Sequence, residues 1–153
     1  MCNPHWTAYI SALTLPAIAV VASLIAYRQW RTAQNKLKLD LFEKRMLVYQ
    51  ASRDMLGFVA TRGKITTEEQ IKYITGIQTA KWLFGVDVGT YLEKTLWEKI
   101  VDLELHQTMI YDGDRDDPDR QKHVQSKAET LKWLMKQYTV LDAKCANYLV
   151  VGH

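Results

Sequence analysis

The stretch from residue 6 to residue 27 contains no Asp, Glu, Lys, Arg or His, and it constrains the fold more than any other part of the chain. A helix of about 20 apolar residues matches the hydrocarbon core of a bilayer, because each residue adds about 1.5 Å and the core is about 30 Å thick. The sequence therefore predicts a transmembrane helix over residues 6–27. A buried core helix in a soluble protein is the alternative.

Aromatic side chains lie at both ends of this stretch and basic side chains follow its second end, as is typical of membrane interfaces. The predicted interface residues are Trp6, Tyr9, Tyr27, Arg28, Trp30 and Arg31. All Lys and Arg residues follow Tyr27, so the positive-inside rule places residues 1–5 outside the cytoplasm and residues 28–153 in a cytoplasmic helical domain. No basic segment precedes the apolar run and no small-residue cleavage site follows it, which predicts an anchor that is retained.

Small side chains recur along one face of the predicted span. A face of this kind lets helices approach closely in lipid, so it predicts a homo-oligomer formed through the span. Chance recurrence of alanine, which is common in membrane helices, is the alternative. The residues predicted to associate are Ala8, Ala12, Ala19, Ala22 and Ala26.

The charge balance bears on the choice of partner. The net charge of +3 is too small to indicate nucleic acid, and the basic excess adjoins the predicted span, where anionic lipid attracts it. The lipid bilayer is therefore the expected partner of this segment. Cys2 and Cys145 would lie on opposite sides of the membrane, so no disulfide is expected within a chain.

The remainder of the chain has the pattern of helices and contains no clear strand. The first helix is expected to continue from the span to the glycine stop near Gly63, and a second to run from Thr66 or Thr67 to about Gly85. A third follows V-D-V-G-T, and a fourth starts at Asp117 and Pro118. The fold predicted is all-α: an N-terminal transmembrane helix continuing into an antiparallel cytoplasmic bundle, with about four helices in total.

Apolar residues at helical spacing predict which faces are buried. On the first helix Lys38, Arg45 and Arg53 interrupt this face and would have to lay their stems along it. The predicted core positions are Leu41, Val48, Met55 and Val59 on one line of the first helix, with Leu39, Phe42, Met46, Tyr49 and Leu56 beside it; Ile71, Ile74, Ile77, Trp82 and Phe84 on the second; Leu92, Leu96, Ile100, Leu103 and Ile110 on the third; and Val124, Ala128, Leu131, Met135, Tyr138, Cys145 and Leu149 on the fourth.

An acidic loop is the best candidate for a metal site, through Asp112, Asp114 and Asp116. Its D-x-D-x-D opening resembles a calcium-binding loop, but Asp117 occupies the position of the loop glycine and His123 that of the bidentate Glu. A solvated turn followed by a helix cap explains the same residues and is the preferred interpretation.

Few other residues suggest chemistry. His106 could act as a base or a metal ligand, but no second ligand stands at helical spacing from it, which argues against a zinc site. Cys145 lies on an apolar stripe and is expected to be a core residue. No phosphate-binding loop or nucleophile motif is present, so the chain is not expected to be an enzyme and no cofactor is predicted.

The juxtamembrane sequence L-D-L-F-E-K-R followed by V-Y spans Leu39 to Arg45 and then Val48 and Tyr49. It resembles a pattern in small, largely uncharacterised bacterial single-pass membrane proteins, in which an N-terminal span precedes L-D-L-F, an acid, basic residues and V-Y. The resemblance covers the first helix alone. It implies a bacterial or prophage-encoded protein of the inner membrane with a helical cytoplasmic domain, and it implies no catalytic residue.

The sequence thus favours a membrane-anchored helical interaction or scaffold module that self-associates through its span and binds an unidentified protein partner. An oligomeric membrane-disturbing effector, of the phage-defence or lysis type, is a second hypothesis. Only small hydroxyls such as Ser11 and Ser23 are available to line a pore, which supports it weakly. A metal-dependent enzyme that uses the acidic loop and His123 is a third.

Overall fold

A computed structural model describes the chain apart from residues 1–5, 114–117 and 151–153, and gives the backbone alone for residues 6–15. Every regular element within this part is helical, and it holds no strand, so the all-α prediction is confirmed. In chain order the elements are α1 (Trp6–Arg62), α2 (Thr67–Ile77), α3 (Ala80–Phe84), α4 (Val86–Thr90), a π-helical segment (Tyr91–Leu96), α5 (Trp97–Tyr111), α6 (Arg120–Cys145) and a 3-10 turn (Ala146–Tyr148).

The chain divides into two compact units, Met1–Asp40 and Leu41–His153. In the first unit α1 is helical from Trp6 and contains Pro16. Each described side chain of this unit, from residue 16 to residue 40, is exposed to solvent. Its apolar side chains therefore lack the intramolecular cover that a protein core provides.

The predicted transmembrane span is not supported by the structure. Among the described residues, none of the helices combines the length and the apolar character needed to cross a bilayer. The predicted span begins at residue 6, and the side chains of residues 6–15 lie outside the described part of the chain.

The second unit contains the hydrophobic core. The last third of α1 contributes the side chains of Val48, Met55, Leu56 and Val59, each exposed by 2 % or less, which confirms the predicted apolar face from Val48 onward. The other fully covered side chains come from every helix that follows, including Tyr73, Phe84, Leu92, Leu96, Ile100, Leu103, Leu134 and Leu141. Burial of this apolar surface, at about 25 cal/mol per Å², is the main force that holds the unit together.

Helix α6 runs antiparallel to both α1 and α5, as the contacts along its length show. Residues later in α6 meet residues earlier in the other helix: Tyr91 with Gln137 and Asp87 with Lys144 on the α5 side, and Tyr49 with Asp142 and Arg45 with Tyr148 on the α1 side. The antiparallel bundle predicted for this part of the chain is therefore present within the second unit.

The π-helical segment explains an unusual spacing of buried residues. Val88, Leu92, Leu96 and Ile100 are all buried, although steps of four residues drift around an ordinary helix of 3.6 residues per turn. The wider turn of a π segment, with its i to i+5 bonding, takes up the excess. The helical run over 86–111 can thus keep these four side chains in the core.

Two predicted helix ends are confirmed. α1 ends at Arg62, and Gly63 follows with φ of 60°, a backbone conformation that glycine adopts without strain. Thr66 caps α2, because its side-chain oxygen accepts a hydrogen bond from the N–H of Glu69 at 3.4 Å. Sequence signals that act within one helical turn were therefore sufficient to predict these two helix ends.

Other predicted boundaries were wrong. The second predicted helix is divided into α2 and α3 by a turn after Ile77. Its predicted end near Gly85 is confirmed, because α3 ends at Phe84 and Gly85 follows with φ of 87°. The last long helix begins at Arg120, so Pro118 does not occupy its first position. Eight predicted core positions are exposed instead, among them Trp82 by 84 % and Ile71 by 60 %. They are Leu39, Leu41, Ile71, Ile74, Trp82, Val124, Ala128 and Met135.

Candidate functional site

Two histidines meet between α5 and α6. The Nδ1 atoms of His106 and His123 lie 3.2 Å apart, and the two ring centroids are separated by 5.4 Å with the planes inclined at 45°. At this distance one ring nitrogen donates its proton and the other accepts it, because a neutral imidazole carries one donor and one acceptor. Both side chains are half-buried. The pair thus joins the two helices near the turn that connects them.

A polar cavity of about 340 Å³ adjoins this histidine pair. Asp102 lies one helical turn before His106, and its Oδ2 accepts a hydrogen bond from Lys99 Nζ at 2.8 Å. The α6 side of the cavity supplies Ser126, Glu129, Thr130 and Trp133. The cavity is open to water and carries charges of both signs.

The acidic loop begins where α5 ends. Asp112 is exposed, and its backbone N–H donates to the carbonyl of Thr108 at 2.8 Å. Asp114, Asp116 and Asp117 lie outside the described residues. In the remainder of the chain no three or more His, Cys, Asp and Glu side chains form a group that could hold a metal ion. Metal binding by the acidic loop therefore stays a prediction.

Asp119, at the start of α6, is close to the histidine pair in the sequence and in space. A hydrogen bond from Lys122, together with the charge of that lysine, lowers the pKa of the Asp119 carboxyl, and His123 contributes to the same shift. Lys122 Nζ lies 2.7 Å from Asp119 Oδ1. Asp119 thus places a carboxylate one turn before His123, at the same spacing as Asp102 before His106.

Cys145 is a core residue, as predicted. Its side chain is 1 % exposed, and burial raises the pKa of the thiol to about 11, with the charge of Asp142 acting in the same direction. The thiol is therefore protonated at neutral pH, and only the thiolate is a nucleophile.

A second polar cluster, which the sequence did not indicate, joins α1 to α6. Tyr49 Oη donates to Asp142 Oδ1 at 2.6 Å, and Arg53 Nη1 donates to Tyr49 Oη. Burial is the main cause that raises the pKa of Tyr49, and its hydrogen bond to Asp142 adds to the effect. The Arg53 guanidinium also lies over the ring of Tyr138. These contacts explain how Arg53 is accommodated beside an apolar face.

The residues predicted to act at the membrane fall in two groups. Ala19, Ala22 and Ala26 are exposed, as are Arg28 and Arg31. The rings of Tyr27 and Trp30 lie with their centroids 6.1 Å apart. Outside the described side chains are Trp6, Ala8, Tyr9 and Ala12. Their association and interface roles stay predictions.

The second unit also exposes large apolar side chains. Trp82 is 84 % exposed and lies before Gly85, while Val86, directly after that glycine, is 65 % exposed. Tryptophan is among the residues that contribute most to protein interfaces. Trp82 and Val86, with Gly85 between them, thus form an exposed apolar surface, the exposed Trp82–Val86 turn.

The histidine pair was not predicted from the sequence, because helical spacing reveals only ligands that lie on the same helix. The signal was available in another form: His106 and His123 lie at similar distances before and after the loop at 112–119. In an antiparallel hairpin such positions face one another.

Comparisons with protein-family models, with curated proteins and with solved structures found no match for this chain.

Proposed function

We propose that the protein is a membrane-anchored helical interaction module. Its N-terminal segment, residues 6–27, inserts into a bilayer and associates with other copies, and its second unit presents a surface to a protein partner. The observation that carries the proposal is the exposure of large apolar side chains along the first unit: Ile18, Val20, Val21, Leu24, Ile25, Tyr27 and Trp30 are each more than half exposed.

Leaving these side chains in water is costly. Burial of one Val, Leu or Ile side chain contributes about 1.5–3 kcal/mol, so a run of exposed ones strongly favours a second apolar phase. Exposed apolar patches of this kind mark interaction or membrane sites. The lack of charge over residues 6–27, with aromatic residues at both ends and basic residues directly after the stretch, favours lipid as that phase.

The small residues of the same segment support association between copies. Ala19, Ala22 and Ala26 leave room for close approach of a second helix. The hydroxyl of Ser23 donates to the carbonyl of Ala19 at 2.8 Å, so this polar group is satisfied within its own helix. A satisfied hydroxyl favours packing in lipid over the lining of an aqueous pore.

The orientation follows the distribution of basic residues. With Arg28, Arg31, Lys36 and Lys38 directly after the apolar stretch, the second unit lies in the cytoplasm. The L-D-L-F pattern adds the bacterial inner membrane as the compartment. In this arrangement the exposed Trp82–Val86 turn faces cytoplasmic proteins.

Membrane fractionation of the full chain, expressed in a bacterium, tests the proposal. The unaltered protein is expected to remain with the membranes after an alkaline carbonate wash. Replacing Val21 and Leu24 together by Arg is expected to release it, because each Arg near the centre of a span costs about 2.5–3.5 kcal/mol on insertion scales. Carbonate-extractable unaltered protein would contradict the proposal.

A matched control changes two apolar residues of the second unit that are exposed to a similar degree. Leu47 is 65 % and Ile71 is 60 % exposed, against 55 % for Val21 and 58 % for Leu24. The Leu47→Arg/Ile71→Arg protein should stay with the membranes. Equal release of both double variants would show that added charge alone removes the protein from the membrane fraction.

Dye-filled liposomes separate the module from a membrane-disturbing effector. The module is expected to insert without releasing dye. Dye release that depends on protein concentration, and that Val21→Arg/Leu24→Arg abolishes, would instead favour the effector hypothesis.

A further inference from the structure

We propose that His106 and His123 form a binding site for a divalent first-row transition-metal ion, which clamps α5 to α6. This inference is independent of the proposed membrane function. Imidazole nitrogens are ligands that Zn²⁺, Ni²⁺ and Cu²⁺ favour, whereas Ca²⁺ and Mg²⁺ favour oxygen. The site therefore differs in chemistry from the calcium-like acidic loop.

The separation of the two Nδ1 atoms fits a shared metal ion. A tetrahedral Zn²⁺ ion holds each imidazole nitrogen at about 2.0–2.1 Å, which places two such nitrogens about 3.3–3.4 Å apart. The observed separation of 3.2 Å needs an adjustment of only about 0.1–0.2 Å. The two helices thus hold both nitrogens at the separation that a shared metal ion requires, and a rotation of the two rings directs both lone pairs at the ion.

Metal binding by the two imidazoles needs no separate base to remove a proton. In the metal-free pair one imidazole carries its proton on Nδ1 and donates it to the other ring. Metal binding requires a lone pair on both Nδ1 atoms, so that proton leaves Nδ1 and the ring takes up a proton on Nε2. Both rings are then neutral Nε2–H tautomers, which is the form of imidazole that ligates metals.

The surroundings complement the charge of a divalent ion. Asp102 precedes His106 by one turn and Asp119 precedes His123 by one turn, which places one carboxylate on each helix beside the pair. Each carboxylate has a lysine partner on its own helix, Lys99 for Asp102 and Lys122 for Asp119. Because the histidines are half-buried beside an open cavity, water molecules complete the coordination.

A clamp at this position would stabilise the end of the hairpin that adjoins its turn. The two histidines lie near the turn at 112–119, at the end of the α5–α6 pair away from the buried Leu96 and Leu141. A ligand that binds the folded state alone raises its stability in proportion to the logarithm of ligand concentration. The site thus makes the stability of the hairpin depend on available metal.

Titration of the full-length protein with Zn²⁺ in mild detergent tests this inference. His5 and His153, which lie outside the described residues, are first replaced by Gln so that two histidines remain. Calorimetry is expected to show one Zn²⁺ per chain, and the melting temperature should rise with Zn²⁺ but not with Ca²⁺. In that background His106→Gln and His123→Gln should each weaken Zn²⁺ binding at least about tenfold, as loss of a ligand exceeds loss of an outer-shell partner.

The matched control is the triple variant Asp112→Asn/Asp114→Asn/Asp116→Asn, which should bind Zn²⁺ as tightly as the background protein. Loss of binding in this triple variant with retention in both histidine variants would overturn the proposal, as would no binding at all. If a histidine variant fails to fold, nitrogen NMR of the background protein decides: Zn²⁺ must shift the Nδ1 resonances of both histidines, and unchanged resonances would reject the site.

Discussion

The two parts of helix α1 share one secondary structure but differ in what covers them. From residue 16 to residue 40 every side chain is exposed, whereas Val48, Met55 and Val59 in the later part are 2 % exposed or less. The apolar content does not explain the difference, because the earlier part is at least as rich in Val, Ile and Leu. Whether a helix is buried therefore depends on the elements that pack against it. Apolar periodicity indicates only that one face of the helix needs a packing partner.

Charged residues show the same contrast. Arg28 and Arg31 in the earlier part are exposed. Arg45 in the later part donates from Nε to the carbonyl of Leu83 at 2.9 Å and from Nη1 to the carbonyl of Tyr148 at 3.1 Å. A cation on an apolar face can thus pair with the free carbonyl groups at the ends of neighbouring helices.

The largest expected difference between the two parts comes from truncating a leucine in each. Leu56→Ala should lower the free energy of unfolding by about 2–5 kcal/mol, because it opens a cavity in the core. Leu24→Ala, at a position that is 58 % exposed, should change it by less than about 0.5 kcal/mol. Urea unfolding of the second unit, followed by tryptophan fluorescence, measures both. Similar losses for the two variants would mean that the earlier part is also packed in solution.

A larger side chain at a close helix contact should lower the free energy of unfolding by less than the leucine truncation. A Cβ at Gly76 would lie 2.4 Å from the Cβ of Ala51 in the later part of α1, so Gly76→Ala must push α2 away from α1. Overpacking costs about 1–3 kcal/mol and exceeds the gain in helix propensity of about 1 kcal/mol, so we expect a net loss of about 1 kcal/mol. Ala22→Leu, which adds volume at an exposed position, should leave the urea midpoint of the second unit unchanged. A stabilised Gly76→Ala protein would refute the close approach of the two helices.

The smallest difference concerns two tyrosine hydroxyls. Tyr49→Phe removes the hydrogen bonds to Asp142 and Arg53 and should cost about 0.5–1.5 kcal/mol. Tyr27→Phe in the earlier part should have no effect on unfolding, since Tyr27 is 58 % exposed. Thermal unfolding of the two variants side by side measures the difference. Equal melting temperatures of the two variants would show that the hydrogen bonds of Tyr49 make no net contribution to stability.

The parts of the fold that the sequence predicted are those set by local chemistry. Thr66 and Gly63 carry cap and stop signals that act within one turn. The apolar face from Val48 to Val59 was also readable from its spacing alone. These features depend on residues that are near one another in the chain.

The wrong predictions concern features that tertiary packing decides. Ile71 and Trp82 have the spacing of core residues, yet both are exposed, because α2 and α3 turn other side chains toward the core. The buried side chains of these two helices are Gln70, Tyr73, Ile77, Ala80 and Phe84. The histidine pair could not be found by a search along one helix, because its members come from two helices. To predict that His106 and His123 are in contact, one must know that α5 and α6 form a hairpin and which of their residues lie opposite one another.

The π-helical segment at Tyr91–Leu96 also determines how the chain tolerates changes in length. One residue more than an ordinary helix needs is accommodated there without displacing Val88 or Ile100 from the core. A single-residue deletion within the segment can therefore restore an ordinary helix and leave both flanks facing the same way. The same deletion in the middle of α6 would rotate all later side chains by about 100° and turn Leu141 and Cys145 out of the core. The segment is thus the place in the bundle where evolution can change the length of a buried helix at little structural cost.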